Sequence, residues 1–163
     1  MLQADIDAAG YDYQVLNYGN SGDTVETGLS RLYLALGVSN QRIFILELGA
    51  NNISKKDDPR QIGDHLRNIV SQLRDRNIDI LLCGYRSPPA HGEEYARRVD
   101  QMYSGIAADY GLAFMPDFMA GVSGDPELMQ PDGIHPNPKG VRTIEKNVFA
   151  FLKPILAKNA SKK

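Results

Sequence analysis

Apolar positions change period several times along this chain, and each change marks an element. Ile43, Phe44, Ile45, Leu46 and Leu48 form a nearly unbroken apolar run that stops at Gly49-Ala50-Asn51-Asn52. Such a run predicts a strand covered on both faces, central in a parallel sheet, with an Asn turn at its carboxyl end. Ile78 to Gly84 and Leu112 to Met115 read as further strands, and Tyr13 to Tyr18 as another. Between them the apolar spacing is helical: Leu2 to Ala9 before Gly10, Thr27-Leu29-Leu32-Leu36 before Gly37, and Ile62-Leu66-Ile69-Val70-Leu73 after Pro59. Tyr95-Val99-Met102-Tyr103-Ile106 closes near Gly111, and Val141-Ile144-Val148-Phe151-Leu152 forms the last helix. Strand and helix alternate throughout, which predicts an α/β fold with a parallel sheet, right-handed crossovers and helices on both faces. The loops near Gly19, Gly49 and Gly84 would then leave one rim, the edge where open α/β sheets bind ligands. The loop carrying Asp132 is expected to join them.

A chain of 163 residues with 42% hydrophobic content suits one domain, taken as residues 1–157 with a polar tail over 158–163. Eighteen basic residues stand against twenty acidic ones, for a net charge of -2. That balance offers no footprint for nucleic acid or an anionic membrane, and the expected partner is a small molecule. No stretch approaches the roughly 20 apolar residues of a membrane span. The N-terminus lacks the basic start and apolar centre of a signal peptide. The single Cys83 lies in the run Ile80-Leu81-Leu82-Cys83 and is expected to be a buried thiol. No H-x-x-x-H pair or cysteine cluster is present, so neither a metal nor a cofactor is expected.

Candidate chemistry gathers at Asp132-Gly133-Ile134-His135-Pro136-Asn137. A carboxylate three residues before an imidazole can accept from one ring nitrogen and leave the other free as a base. The same residues also fit an Asp that caps the turn beside a His that merely packs. His65, on a helix of surface type, and His91, in a loop, make weaker candidates. The loop Tyr85-Arg86-Ser87-Pro88-Pro89-Ala90-His91-Gly92 is stiffened by its adjacent prolines and is expected to project above the sheet edge.

Three signatures in order resemble the SGNH (GDSL-type) hydrolases, in their bacterial arylesterase, thioesterase I and lysophospholipase L1 branch. They are N-x-G-x-S-G-D-T at Asn17 to Thr24, E-L-G-A-N-N at Glu47 to Asn52, and D-G-I-H-P-N at Asp132 to Asn137. Segments such as G-L-S-R-L at Gly28 to Leu32 and R-S-P-P at Arg86 to Pro89 are similar too. The resemblance implies a three-layer, flavodoxin-like α/β/α fold with sheet order 2-1-3-4-5. It implies carboxylic-ester or thioester hydrolysis, with His135 as base, Asp132 as its orienting partner, and Gly22 N–H and the Asn51 amide as oxyanion donors converging with His135 on one rim. Arg86, Ser87, Pro88 and Pro89 would line the acyl pocket. The competing function class is a non-catalytic remnant that binds acyl or glycan ligands, or an inactive fragment.

Two departures from the family pattern stand out. Asn52 occupies a position where the family usually has Asp. The block that begins the family pattern, a strand ending in Gly-Asp-Ser that supplies the nucleophile, is matched by no residue of this sequence. Met1-Leu2-Gln3 matches a point inside the helix after that block, so one strand and most of one helix are expected to lie ahead of Met1. Ser21 is not expected to replace the missing serine. Any secretion signal would lie in the same unmatched region, which leaves the compartment open. With the middle strand absent, marginal folding and homo-oligomerisation by dimerisation or strand borrowing are expected.

Overall fold

A computed structural model of the chain describes residues 1–37 and 40–160. Ten regular elements and one 3-10 turn follow in the order α1 Leu2–Ala8, α2 Val25–Ser30, α3 Leu32–Leu36, β1 Ile43–Glu47, α4 Ala50–Ser54, α5 Pro59–Arg74, β2 Asp79–Cys83, the turn Pro89–His91, α6 Glu93–Tyr110, β3 Ala113–Met115 and α7 Pro138–Ala160. The three strands make one parallel sheet of order β1-β2-β3. Ile43 lies opposite Asp79 and Glu47 opposite Cys83, while Leu81 and Cys83 face Ala113 and Met115.

The chain divides into two compact units. One comprises Tyr18–Asp117 and holds the sheet with α2 to α6. Its core joins Leu46, Ile80 and Leu82 of the sheet to Ile62, Leu66, Ile69 and Leu73 of α5 and to Val99, Tyr103 and Ile106 of α6. These α5 and α6 residues sit at the spacing that makes one apolar helix face. Asp58 caps α5 by accepting from Arg60 N at 3.1 Å, and Pro59 takes the first helical position, where its missing N–H costs nothing. The other unit comprises Met1–Asn17 with Phe118–Lys163. In it α1 lies against α7, and Ile6, Met119, Val122, Ile144, Val148, Leu152 and Leu156 are buried.

Several sequence expectations are corrected. Tyr13 to Tyr18 forms no strand: the segment runs irregularly, with Val15 and Leu16 exposed. The sheet among the described residues therefore has three strands, and β1 is an edge of it, not the centre. The burial of the strands agrees, since Ile43, Phe44 and Ile45 are only half-buried whereas Ile80 to Cys83 of β2 are all buried. The helix expected from Thr27 to Leu36 breaks at Arg31 (φ −108°, ψ 6°) into α2 and α3. Asn51 and Asn52 lie in a short helix instead of a turn. Lys158 to Ala160, expected as a frayed tail, continue α7, and residues 161–163 lie outside the described residues.

Candidate functional site

The Gly49 backbone has φ +113°, and a Cβ there would run into the Tyr103 hydroxyl. Only glycine fits, and the chain turns at once from β1 into α4. Two tyrosines of α6 fasten the backbone on either side of α4: Tyr103 Oη donates to Leu48 O at 2.7 Å and Tyr95 Oη to Asp57 O at 2.8 Å. Asn51 is thereby held on the first turn of α4. Its Nδ2 donates to Asp23 O at 2.9 Å, which fixes the amide plane beside the turn that carries Gly22.

That turn is braced from behind. The Asp23 carboxylate accepts from Arg31 Nε at 2.6 Å, Asn20 Nδ2 at 3.0 Å and Thr27 Oγ1 at 3.2 Å, while Arg31 also reaches Tyr18 O. Burial opposes ionisation of Asp23, yet these donors and the Arg31 charge hold its carboxyl below the ordinary range. Thr24 and Thr27 form a capping box at the start of α2. Gly22 is exposed with φ +87°, and its N–H donates to no group among the described residues. Gly22 and Asn51, both expected as site residues, are thus brought together within one unit.

Asn52 is buried at 1% exposure and uses its amide fully. Its Oδ1 accepts from Val25 N at 2.9 Å, one of the N–H groups that the start of α2 leaves unpaired. Its Nδ2 donates to Glu26 Oε2 at 3.1 Å and Asp57 Oδ2 at 3.0 Å. An Asp at this position would turn an acceptor toward two carboxylates, so the departure from the family pattern has a local cause. Nothing in the one-dimensional pattern tied Glu26 or Asp57 to Asn52.

The loop after β2 is pinned by Arg86, which bridges Asp100 of α6 at 2.9 Å and Asp117 at 3.6 Å. Ser87 Oγ lies 3.5 Å from His91 Nδ1 and donates to Pro88 O at 3.2 Å, and His91 packs edge-on against Tyr95. Pro89 opens the 3-10 turn that ends at His91. His65 Nδ1 sits 2.9 Å from Gln61 O and 3.6 Å from Glu26 Oε1. At the end of β1, burial pushes the carboxyl of half-buried Glu47 up. Burial and this carboxyl together push the Cys83 thiol up to about 12, so Cys83 is protonated and unreactive at neutral pH.

The second group of site residues lies in the other unit. A hairpin is closed by the bridge between Met129 and Pro136 and by Gln130 N donating to His135 O at 2.7 Å. At its tip Asp132 Oδ1 accepts from Ile134 N at 2.9 Å and His135 N at 3.0 Å, and Oδ2 accepts from His135 Nδ1 at 2.7 Å. The two readings of Asp132, turn cap and partner of the histidine, hold at once on separate oxygens. These bonds, the His135 backbone N–H first, lower the Asp132 carboxyl to about 2. His135 Nε2 bonds to no group among the described residues, and the side chain is 64% exposed, so this nitrogen is open to a substrate.

Asn137 is the residue that sequence reasoning passed over. Its Oδ1 accepts from Lys139 N at 2.9 Å and Gly140 N at 3.1 Å, and its Nδ2 donates to Glu127 O at 2.9 Å and Met129 O at 3.3 Å. An Asn directly before Pro138 at a helix start was the available signal. Among the described residues no group of three or more His, Cys, Asp or Glu side chains could hold a metal ion.

The sequence profile of the GDSL-like lipase/acylhydrolase family matches residues 1–143. Esterase TesA of Pseudomonas aeruginosa is 35% identical over 156 residues, covering 96% of this chain and 78% of that protein. Thioesterase 1/protease 1/lysophospholipase L1 of Escherichia coli K12 is 35% identical over 123 residues, covering 76% of this chain and 59% of that protein. A crystal structure of TesA superposes with a TM-score of 0.90 at 34% identity, covering 94% of this chain and 86% of that one.

Proposed function

The chain belongs to the GDSL-like lipase/acylhydrolase family, and from that premise we propose that it is the scaffold of a serine hydrolase of carboxylic esters or thioesters. The observation that carries this reading is the 2.7 Å bond between Asp132 Oδ2 and His135 Nδ1, which leaves Nε2 as the basic nitrogen. In the proposed reaction a serine hydroxyl gives its proton to His135 Nε2 as its oxygen bonds to the acyl carbon. The carbonyl oxygen, now anionic, accepts from Gly22 N–H and from the Asn51 Nδ2 hydrogen not committed to Asp23 O. The leaving alcohol or thiol takes the proton from His135, and a water activated by the same nitrogen releases the acid. Donors of this kind stabilise charge without being acids themselves, which suits acyl transfer. Arg86, Ser87, Pro88 and Pro89 are assigned to the wall of the acyl pocket, with the ion pairs of Arg86 holding the loop. The names of the relatives, an esterase and a thioesterase/lysophospholipase, support the substrate class.

The reading assigns the nucleophile to none of the 163 residues, since no residue matches the family's Gly-Asp-Ser block. Its test is therefore a graft: a family strand ending in Gly-Asp-Ser is placed ahead of Met1, and hydrolysis of a short p-nitrophenyl ester is measured. Turnover is expected, reduced about 10⁴-fold or more by His135→Ala and about 10²- to 10³-fold by Asn51→Ala. A folded graft without turnover, or one whose turnover survives His135→Ala, overturns the reading.

A further inference from the structure

We propose that Asn137 is the positioning residue of the Asp132–His135 pair, because it fastens the segment entering the hairpin to the helix leaving it. This inference rests on His135 being the base. Pro136 and Pro138 flank Asn137 and carry no N–H, so of these three residues Asn137 alone can donate hydrogen bonds. It donates three, all to the incoming segment: its backbone N to Leu128 O at 2.8 Å, and Nδ2 to Glu127 O at 2.9 Å and Met129 O at 3.3 Å. On the outgoing side, Oδ1 takes the first two free N–H groups of α7, those of Lys139 and Gly140, and the Asn137 carbonyl accepts from Val141 N at 2.9 Å. The amide is thus saturated, with its donors on one stem and its acceptor on the other.

Gly140 completes the clamp. A Cβ there would run into Leu128 O and crowd Pro136 and Val122, so the first turn of α7 packs directly on the incoming backbone. The His135 backbone is held by Asp132 Oδ1 and Gln130 N, but its imidazole reaches one partner among the described residues. His135 is exposed, lies two residues from Asn137, and makes its one side-chain hydrogen bond among the described residues to Asp132. The turn closed by Ile134 N and His135 N on Asp132 Oδ1 sets the backbone between them, and how that turn sits on its stems, the task of Asn137, sets where the two side chains meet.

The test uses the 163-residue chain and needs no turnover, so its failure is separable from failure of the hydrolase reading. Residue-resolved NMR titration follows the Asp132 carboxyl carbon and the His135 Nδ1 proton in Asn137→Ser and Asn137→Ala. Serine keeps an oxygen able to cap α7 but loses both bonds donated by Nδ2, and alanine loses the cap as well. Lys146→Gly, at an exposed position of α7, is the control that weakens the helix without touching the clamp. The Asp132 midpoint is expected to rise from about 2 toward the unperturbed value of about 4 in Asn137→Ser, with faster exchange of the Nδ1 proton. Lys146→Gly should lower the melting temperature and leave both signals in place. An unchanged midpoint in folded Asn137→Ser, or an equal shift in Lys146→Gly, overturns the proposal. So does loss of fold in Asn137→Ser while its oxygen still caps the helix, because Asn137 would then serve the fold as a whole.

Discussion

Asn52 shows what one atom decides at the scale of the residue. Replacing its Nδ2 by an oxygen leaves Val25 N with its acceptor but removes the donor that Glu26 and Asp57 share. In Asn52→Asp three carboxylates would meet at a buried position, and breaking a buried polar arrangement in this way costs about 3 kcal/mol. The new carboxyl would have its folded pKa raised, so folding would bind a proton that the unfolded chain releases. Stability lost at pH 7 should accordingly return as the pH falls toward the carboxylate range. Urea unfolding of Asn52→Asp at pH 7 and pH 5 measures this, and a deficit equal at both values would rule the charge argument out. The sequence displayed Asn52 only as a departure from a family pattern. Its reason lay in Glu26 and Asp57, 26 and 5 residues away, and no periodicity connects such positions. Asp132 and His135 were legible because they sit three apart in one hairpin, whereas Asn137 needed the carbonyls of Glu127 and Met129 to give it meaning.

At the scale of the element, apolar runs located β1, β2 and β3 well but could not rank them. A run such as Ile43 to Leu46 says that a strand would bury side chains, and neighbours alone decide whether it lies at the centre or the edge. Tyr13 to Tyr18 has a strand-like pattern but joins no sheet among the described residues, and an extended segment outside a sheet is not stable as a strand by itself. Glu47 marks the end of the half-buried edge strand. Burial raises its carboxyl in the folded protein, so the folded state holds this proton more tightly than the unfolded chain does. The carboxyl therefore favours folding below its unfolded pKa, and that benefit is lost as the pH rises through the window up to the raised folded value. Glu47→Gln removes the ionisation. The variant should gain stability at neutral pH and lose the pH slope above the ordinary Glu range, as read from melting temperatures between pH 4 and pH 8. A variant that melts with the wild-type slope would show that Glu47 titrates as it does in the unfolded chain.

At the scale of the whole molecule, the question is whether the 163 residues include a nucleophile of their own. Ser21 is the tempting choice, being exposed and adjacent to Gly22 in the turn that Asn51 reaches through Asp23 O. A serine becomes nucleophilic when a base lies within hydrogen-bond reach of its hydroxyl. Ser21 Oγ has no such partner among the described residues: Asn20 and Thr27 spend their donors on Asp23 instead. It also stands beside the proposed oxyanion donor, where a hydroxyl is badly placed to attack the carbon whose oxygen that donor holds. Ser87 does have an imidazole 3.5 Å away, but it donates to Pro88 O and His91 has no carboxylate partner among the described residues. Loss of a triad serine costs about a millionfold in turnover. The chain of residues 1–163 treated with a fluorophosphonate is accordingly expected to stay unlabelled, with ester hydrolysis at the background rate. Covalent labelling located to Ser21 by peptide mass mapping and abolished by Ser21→Ala would sink this claim, and labelling at Ser87 would move the nucleophile to the loop after β2.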